Sequence, residues 1–133
     1  MNTVGGRICL ASDKYKEAEA KMTEVEILLS PEYTDMALIP KMYEIFKSVC
    51  PEKYSVYKRR YIFSLIMIML YSPKSIVRGS LIDYLAFEVA ITVGYKSQST
   101  VGKSIKSMWT KYVLYPQFKK DIDTIIEEIR KKI

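Results

Sequence analysis

Histidine is absent from this 133-residue chain. That absence excludes a Ser-His-Asp triad, a Cys-His dyad, a histidine metal site and an imidazole base working near neutral pH. Cysteine is scarce: Cys9 and Cys50 stand alone, without a Cys-x-x-Cys spacing, and are expected to be idle or buried thiols in a reducing compartment. Five Gly and five Pro are too few for a disordered or fibrous chain. No apolar run is long enough to cross a bilayer, since the longest, Tyr61 to Tyr71 (YIFSLIMIMLY), falls well short of the roughly 20 residues needed. The start, MNTVGGRICLAS, has one Arg and no apolar core, so no signal peptide is expected. A Gly-rich phosphate loop and internal repeats are also missing. These absences argue against an enzyme and predict no cofactor, no metal and no membrane association for a cytoplasmic protein.

What remains is rich in helix formers, with 49% apolar and 27% charged residues. A chain of this length can bury roughly two-thirds of its unfolded surface in one core. Residues 1–11 lack periodicity and read as a flexible tail; residues 12–133 read as a single helical domain. Ser12-Asp13 can cap a helix to about Leu29, in which Met22, Val25, Ile27, Leu28 and Leu29 offer the only apolar surface. After Ser30-Pro31, Pro40 opens a helix with a stripe of Met42, Ile45, Phe46 and Val49. Pro51 breaks the chain. From Lys53 to Leu70 an amphipathic start, with Tyr54, Tyr57 and Tyr61 on one face, turns apolar on all sides, as in a helix that runs from surface to core. The segment KSIVRG reads as one helical turn, and Ser80 is a good N-cap for a helix in which Leu81, Leu85, Val89 and Val93 lie four apart. Pro116 begins a last helix with the stripe Phe118, Ile122, Ile125, Ile126 and Ile129. The pattern predicts an all-α bundle of five or six helices.

The charge of +6 is uneven. Residues 1–50 hold six basic and eight acidic side chains, net −2; residues 51–133 hold fifteen and seven, net +8. Between Val89 and Lys120 there are six lysines and no acidic residue, the footprint of a surface that meets phosphates. A solvated lysine-rich face has the same composition. The cluster Lys58-Arg59-Arg60, flanked by Tyr57 and Tyr61, could grip a nucleic-acid backbone or simply solubilise the mouth of an apolar helix.

The stretch Leu85 to Trp109 reads as a helix, a glycine-centred turn and a second helix, so residues 81–114 are expected to form a helix-turn-helix. Ala90 and Val93 suit the first helix, Gly94 permits the positive φ of the turn, and Ser97 or Ser99 can cap the second helix. At 100° per residue, Val101, Ile105, Met108 and Tyr112 share one side, with Trp109 at its border. The opposite side then holds Ser99, Lys103, Lys106, Ser107 and Thr110, with Thr100 at its edge. Hydroxyls can bond to bases or phosphates, and lysines can neutralise phosphates or reach guanine. No Arg or Asn is present for bidentate base contacts, and Gln98 is the only amide near the helix start. Affinity dominated by phosphates, with modest sequence discrimination, is expected. Tyr95, in the turn, should be partly exposed, whereas Trp109, Tyr112, Tyr115 and Phe118 are expected to be mostly core.

The segment GYKSQSTVGKSI, preceded by VAITV, resembles the signature of the DNA-binding domain of the bacterial replication initiator DnaA, within the TrpR-like helix-turn-helix group. That signature runs approximately Gly-Gly-Arg-Asp-His-Thr-Thr-Val, and Gly94 and Thr100-Val101 fall at the same spacing. The resemblance places Lys96 where the family has a DNA-contacting arginine, and Gln98, Ser99 and Thr100 where its His-Thr-Thr meets DNA. Tyr95 replaces a glycine, Ser97 the aspartate and Gln98 the histidine, and no ATPase portion accompanies the roughly 25 matching residues. The function expected is double-stranded DNA binding by a small transcriptional or replication regulator of a bacterium or mobile element, as a homodimer or higher homo-oligomer. The N-terminal helix or the C-terminal Ile stripe would supply the contact between copies. Two alternatives stay open: a phage packaging or assembly subunit of the small-terminase kind, and a helical adaptor that binds no nucleic acid.

Overall fold

The computed structural model describes Gly5, Asp13, residues 16–18, Lys21, residues 24–78 and residues 81–133. Among the described residues there is no strand, and the chain is all-α. It divides into two compact units, Met1–Ser30 and Pro31–Ile133, whereas composition places a boundary after residue 11. In the first unit the described residues before Leu29 are helical, Gly5 among them. The helical segment at residues 24–28 closes where the Ser30 hydroxyl donates to the Glu26 carbonyl (3.0 Å) and Pro31 follows with no N–H to extend it. Val25, Ile27 and Leu28 are exposed. The rest of the expected tail, the Ser12 cap and Met22 lie outside the described residues.

The second unit begins with a 3-10 turn, Met36–Leu38, capped by the Asp35 carboxylate, which accepts the Ala37 N–H at 3.0 Å. It leads into α1, Ile39–Val49, with Pro40 in the first turn and Ile39, Met42 and Phe46 buried. Helix α2, Val56–Tyr71, starts three residues later than the Lys53 that periodicity suggests. Capping decides the start: the Tyr54 N–H closes a turn on the Pro51 carbonyl, and the Ser55 hydroxyl accepts the Lys58 N–H. Tyr54 therefore belongs to that turn and not to the helix.

Every residue from Ile62 to Ile68 is buried, and α2 touches each of the other five helices of this unit. It is the centre of the core. Phe63 packs its ring 4.8 Å from Tyr43 and 5.3 Å from Phe46, and each such buried apolar side chain contributes about 1.5–3 kcal/mol relative to exposure. A chain turn at Ser72, where the Ser72 and Ser75 hydroxyls bond at 2.7 Å, connects α2 to the short α3, Pro73–Arg78.

Helix α4, Asp83–Val93, buries Leu85, Ala86, Val89, Ala90 and Val93 on the expected face. It begins after Leu81, with Ile82 at the N-cap; the expected cap Ser80 lies outside the described residues. Helix α5 spans Ser99–Leu114 and α6 spans Pro116–Lys132. The Ile stripe of α6 is core, with Ile122, Ile125, Ile126 and Ile129 buried where α6 packs on α1 and α5. An interface between copies on that stripe is thereby corrected: its apolar face is already spent on the fold. Arg130 ties α6 to the start of the unit through Glu32, at 2.7 Å from Nε, and also pairs with Glu127. No described helix is long and apolar enough to cross a membrane.

Candidate nucleic-acid interface

The turn between α4 and α5 depends on Gly94. Its φ is +83°, in the left-handed region that side-chain-bearing residues avoid. This geometry lets the N–H groups of both Gly94 and Tyr95 reach the Ala90 carbonyl, at 3.0 and 2.9 Å, satisfying the end of α4 in a Schellman-type cap. The Tyr95 ring then turns inward, 6.3 Å from Tyr61, and the residue is partly exposed, as expected for its place in the turn. Its hydroxyl is buried with no hydrogen-bond partner among the described residues, and burial pushes the phenol up to about 12. The ring anchors the turn to α2.

Gln98 occupies the N-cap position of α5 without a side-chain bond. Capping falls to Ser97, whose hydroxyl accepts the Ser99 N–H at 3.3 Å and shares a 2.8 Å bond with the Ser99 hydroxyl. From there α5 is amphipathic as its spacing predicts. Val101 and Met108 are buried, and Ile105, Trp109 and Tyr112 are half-buried, the last two stacked at 5.1 Å. The Tyr112 hydroxyl donates to Asp123 of α6 at 2.7 Å, fixing the rotation of α5.

The outward side is where cations gather. Thr100, Lys103, Ser107 and Lys111 follow at intervals of three and four and line one cleft of about 370 Å³, whose other wall is Lys58 and Tyr61 of α2. Lys103, Ser107 and Lys111 also line an adjoining groove of about 500 Å³ with Lys106, Thr110, Leu114 and Tyr115. The two helices thus present a continuous basic surface built on α5. Lys58, Lys96, Lys103, Lys106 and Lys111 make no ion pair among the described residues. By contrast, Lys119 is paired with Asp123 at 2.9 Å, and Lys53 with Asp121 at 2.8 Å.

The expected site residues divide. Lys58, Thr100, Lys103, Lys106, Ser107 and Thr110 come together. Thr110 donates its hydroxyl proton to the Lys106 carbonyl at 2.8 Å, which leaves the oxygen free only as an acceptor. Lys96, Gln98 and Ser99 are exposed in the turn and at the helix start, outside both clefts.

Arg59 and Arg60 do not join the surface. Consecutive residues on a helix point 100° apart, so the trio fans out. Arg59 turns back to hold the Tyr54 carbonyl (3.0 Å from Nε) and the Pro51 carbonyl (3.3 Å from Nη2). Arg60 is half-buried and close enough to Tyr95 to act on its phenol electrostatically. Lys111 is a member that the helical projection of α5 leaves out, whereas Tyr61 flanks the expected basic cluster. The signal for Lys111 was present, since it continues the Thr100–Lys103–Ser107 spacing by one further turn.

Among the described residues, no group of three or more His, Cys, Asp or Glu side chains could hold a metal ion. Comparison with known protein families, with curated proteins and with solved structures finds no match to this chain.

Proposed function

We propose that this protein binds double-stranded nucleic acid through α5, with the α4–α5 pair acting as a helix-turn-helix and Lys58 of α2 adding a flanking phosphate contact. One observation carries the reading. Lys58, from a separate helix, converges on the Thr100–Lys103–Ser107–Lys111 stripe, and none of these cations has an anionic partner among the described residues. Cations clustered on one face raise the local positive potential, the electrostatic footprint of a surface that meets phosphates. Alternating hydroxyls and lysines suit a phosphate track, and the lack of Arg and Asn on the helix suits weak base discrimination. The likeness of residues 94–101 to the replication initiator's DNA-binding signature supports the same helix, through Thr100 in the cleft and through Lys96, Gln98 and Ser99 exposed in the turn and helix start beside it. A small non-enzymatic regulator of transcription or replication, from a bacterium or mobile element, is the role this chemistry fits.

The test is binding to a fluorescently labelled duplex of arbitrary sequence, read by anisotropy at low salt. Lys103→Ala combined with Lys106→Ala removes two cations from an exposed face, where neither contributes to the core. Affinity should fall by about 10- to 100-fold, roughly uniformly across sequences, as for the loss of two phosphate contacts. Unchanged affinity would remove α5 as the binding element.

A further inference from the structure

Helix α5 borders a further cleft, larger than the two basic grooves. Its volume is about 660 Å³, within the roughly 300–1,000 Å³ that houses small organic ligands. Helix α3 gives one wall, through Ile76 and Val77. Helix α5 gives the other, through Gly102, Ile105 and Trp109, with Lys103 and Lys106 beside them. At 100° per residue Gly102, Ile105, Lys106 and Trp109 share a face about 100° wide, next to the Lys103–Ser107–Lys111 stripe. Gly102, Ile105 and Trp109 line neither basic groove, so the nucleic-acid reading leaves this cleft unexplained.

We propose that this cleft binds a small organic anion with a flat apolar body, such as an aromatic sulfonate or carboxylate. The walls select the body. Ile76, Ile105 and Trp109 are only half-buried and Val77 is 68% exposed, so an apolar group that enters gains by removing both surfaces from water. The Trp109 ring favours a planar partner. Charge selects the head group. No Asp or Glu lines the cleft, and Lys103 and Lys106 make no ion pair among the described residues. A phosphate backbone has no apolar body to set against Val77 and Trp109, and a neutral hydrocarbon leaves both lysines unused.

Neither conformation nor packing accounts for Gly102. It lies inside a 16-residue helix, where glycine is less favourable than alanine, and among the described residues only Gly94 has a positive φ. A Cβ added at Gly102 would meet nothing within 4 Å, so no neighbouring helix requires its absence. The space lies instead on the cleft wall. A missing side chain there lets a ligand lie directly against the helix backbone. The site draws on Lys103 and Lys106 but does not depend on whether they also meet phosphates.

The test titrates 8-anilinonaphthalene-1-sulfonate into the full chain without nucleic acid, with Trp109, the only tryptophan, as energy donor. One molecule per chain should bind with a Kd on the order of 10 µM and quench Trp109. N-phenyl-1-naphthylamine, the same body without the sulfonate, should bind about 10-fold more weakly or worse. Gly102→Leu should raise Tm by about 2–5 °C and yet weaken the sulfonate by about 10-fold or more, because the side chain fills the cleft. Should Tm fall instead, Val77→Glu, at an exposed position, sets an anion on the opposite wall; it should weaken the sulfonate and spare the uncharged analogue. Phe87→Ser, at an exposed apolar site on α4, should leave binding intact. The proposal is overturned by a lack of saturable one-to-one binding or by an uncharged analogue that binds as tightly. Binding that survives Gly102→Leu with Tm raised, binding that survives Val77→Glu, or binding lost through Phe87→Ser would overturn it equally.

Discussion

Lys58 and Arg59 are neighbours in one basic cluster, and replacing each by Ala should separate binding from folding. Lys58 projects into the cleft opposite Lys103 and Lys111 and makes no ion pair among the described residues. Its loss removes one phosphate contact, so the logarithmic salt slope of duplex affinity should shrink by about 0.9, with stability unchanged within about 0.5 kcal/mol. Arg59 instead donates to the carbonyls of Tyr54 and Pro51 at 3.0 and 3.3 Å. These bonds hold the turn that positions Ser55 to cap α2. Hydrogen bonds from a charged donor contribute about 1.5–3 kcal/mol when well buried, and the half-exposed, partly long pair here should contribute about 1–2 kcal/mol in all. For a chain of this size that is a fall of about 4–10 °C in Tm. Thermal melts by circular dichroism and anisotropy titrations at several salt concentrations measure the two effects on the same preparations. If Arg59→Ala lowered the salt slope while leaving Tm alone, or Lys58→Ala did the reverse, the assignment of the two side chains would be refuted.

Three further outcomes follow from the same geometry. Gly94→Ala meets no atom within 4 Å of the added Cβ, so its cost is purely that of the +83° φ, about 1–2 kcal/mol, measurable by urea unfolding; a neutral substitution would contradict the turn. Asp121, with a side chain only 12% exposed, is pushed up by burial, but bonds from Lys53, Tyr54 and Gln117 outweigh this and hold its carboxyl below the usual range. A depressed folded value means the stabilisation is present above the unfolded value of about 3.9 and is lost as pH falls through the folded one. Asp121→Asn should therefore lower stability at neutral pH by about 1–2 kcal/mol and flatten the acid limb of the stability profile; an unaltered limb would exclude that role. Ile125→Ala, at a position 1% exposed, should cost about 2–5 kcal/mol by opening a cavity in the core while leaving any concentration-dependent mass intact in the folded fraction. Loss of self-association without loss of stability would restore the α6 stripe as an interface.

Periodicity made most of the fold legible. The apolar run Ile62–Ile68 could only be central, and the four-residue repeat through Leu85, Val89 and Val93 marked the buried side of α4. Gly94 announced its left-handed turn, and the hydroxyl-lysine side of α5 was readable from a helical wheel. What was not legible depends on contacts far apart in sequence. Nothing local shows that Lys58 faces Lys103, or that Arg59 is held by Pro51 and Tyr54, because a helix spreads three adjacent residues over 200° and only tertiary packing decides which direction is outward. The start of α2 also escaped, since Ser55 competes with the amphipathic pattern around Lys53 and Tyr54. The Ile stripe of α6 shows the same limit: an apolar stripe predicts burial, but not whether its cover is the same chain or a second copy.

The central claim is that α5 and Lys58 form a phosphate-binding face, and the salt dependence of duplex binding tests it most directly. Five cations without ion-pair partners among the described residues, Lys58, Lys96, Lys103, Lys106 and Lys111, imply a log–log slope of about −4 to −5 per chain, a loss of roughly 500-fold in affinity over a fourfold rise in salt. Lys103→Ala with Lys106→Ala should bring the slope to about −3. A slope near zero, or one that the double substitution leaves unchanged, would contradict the account.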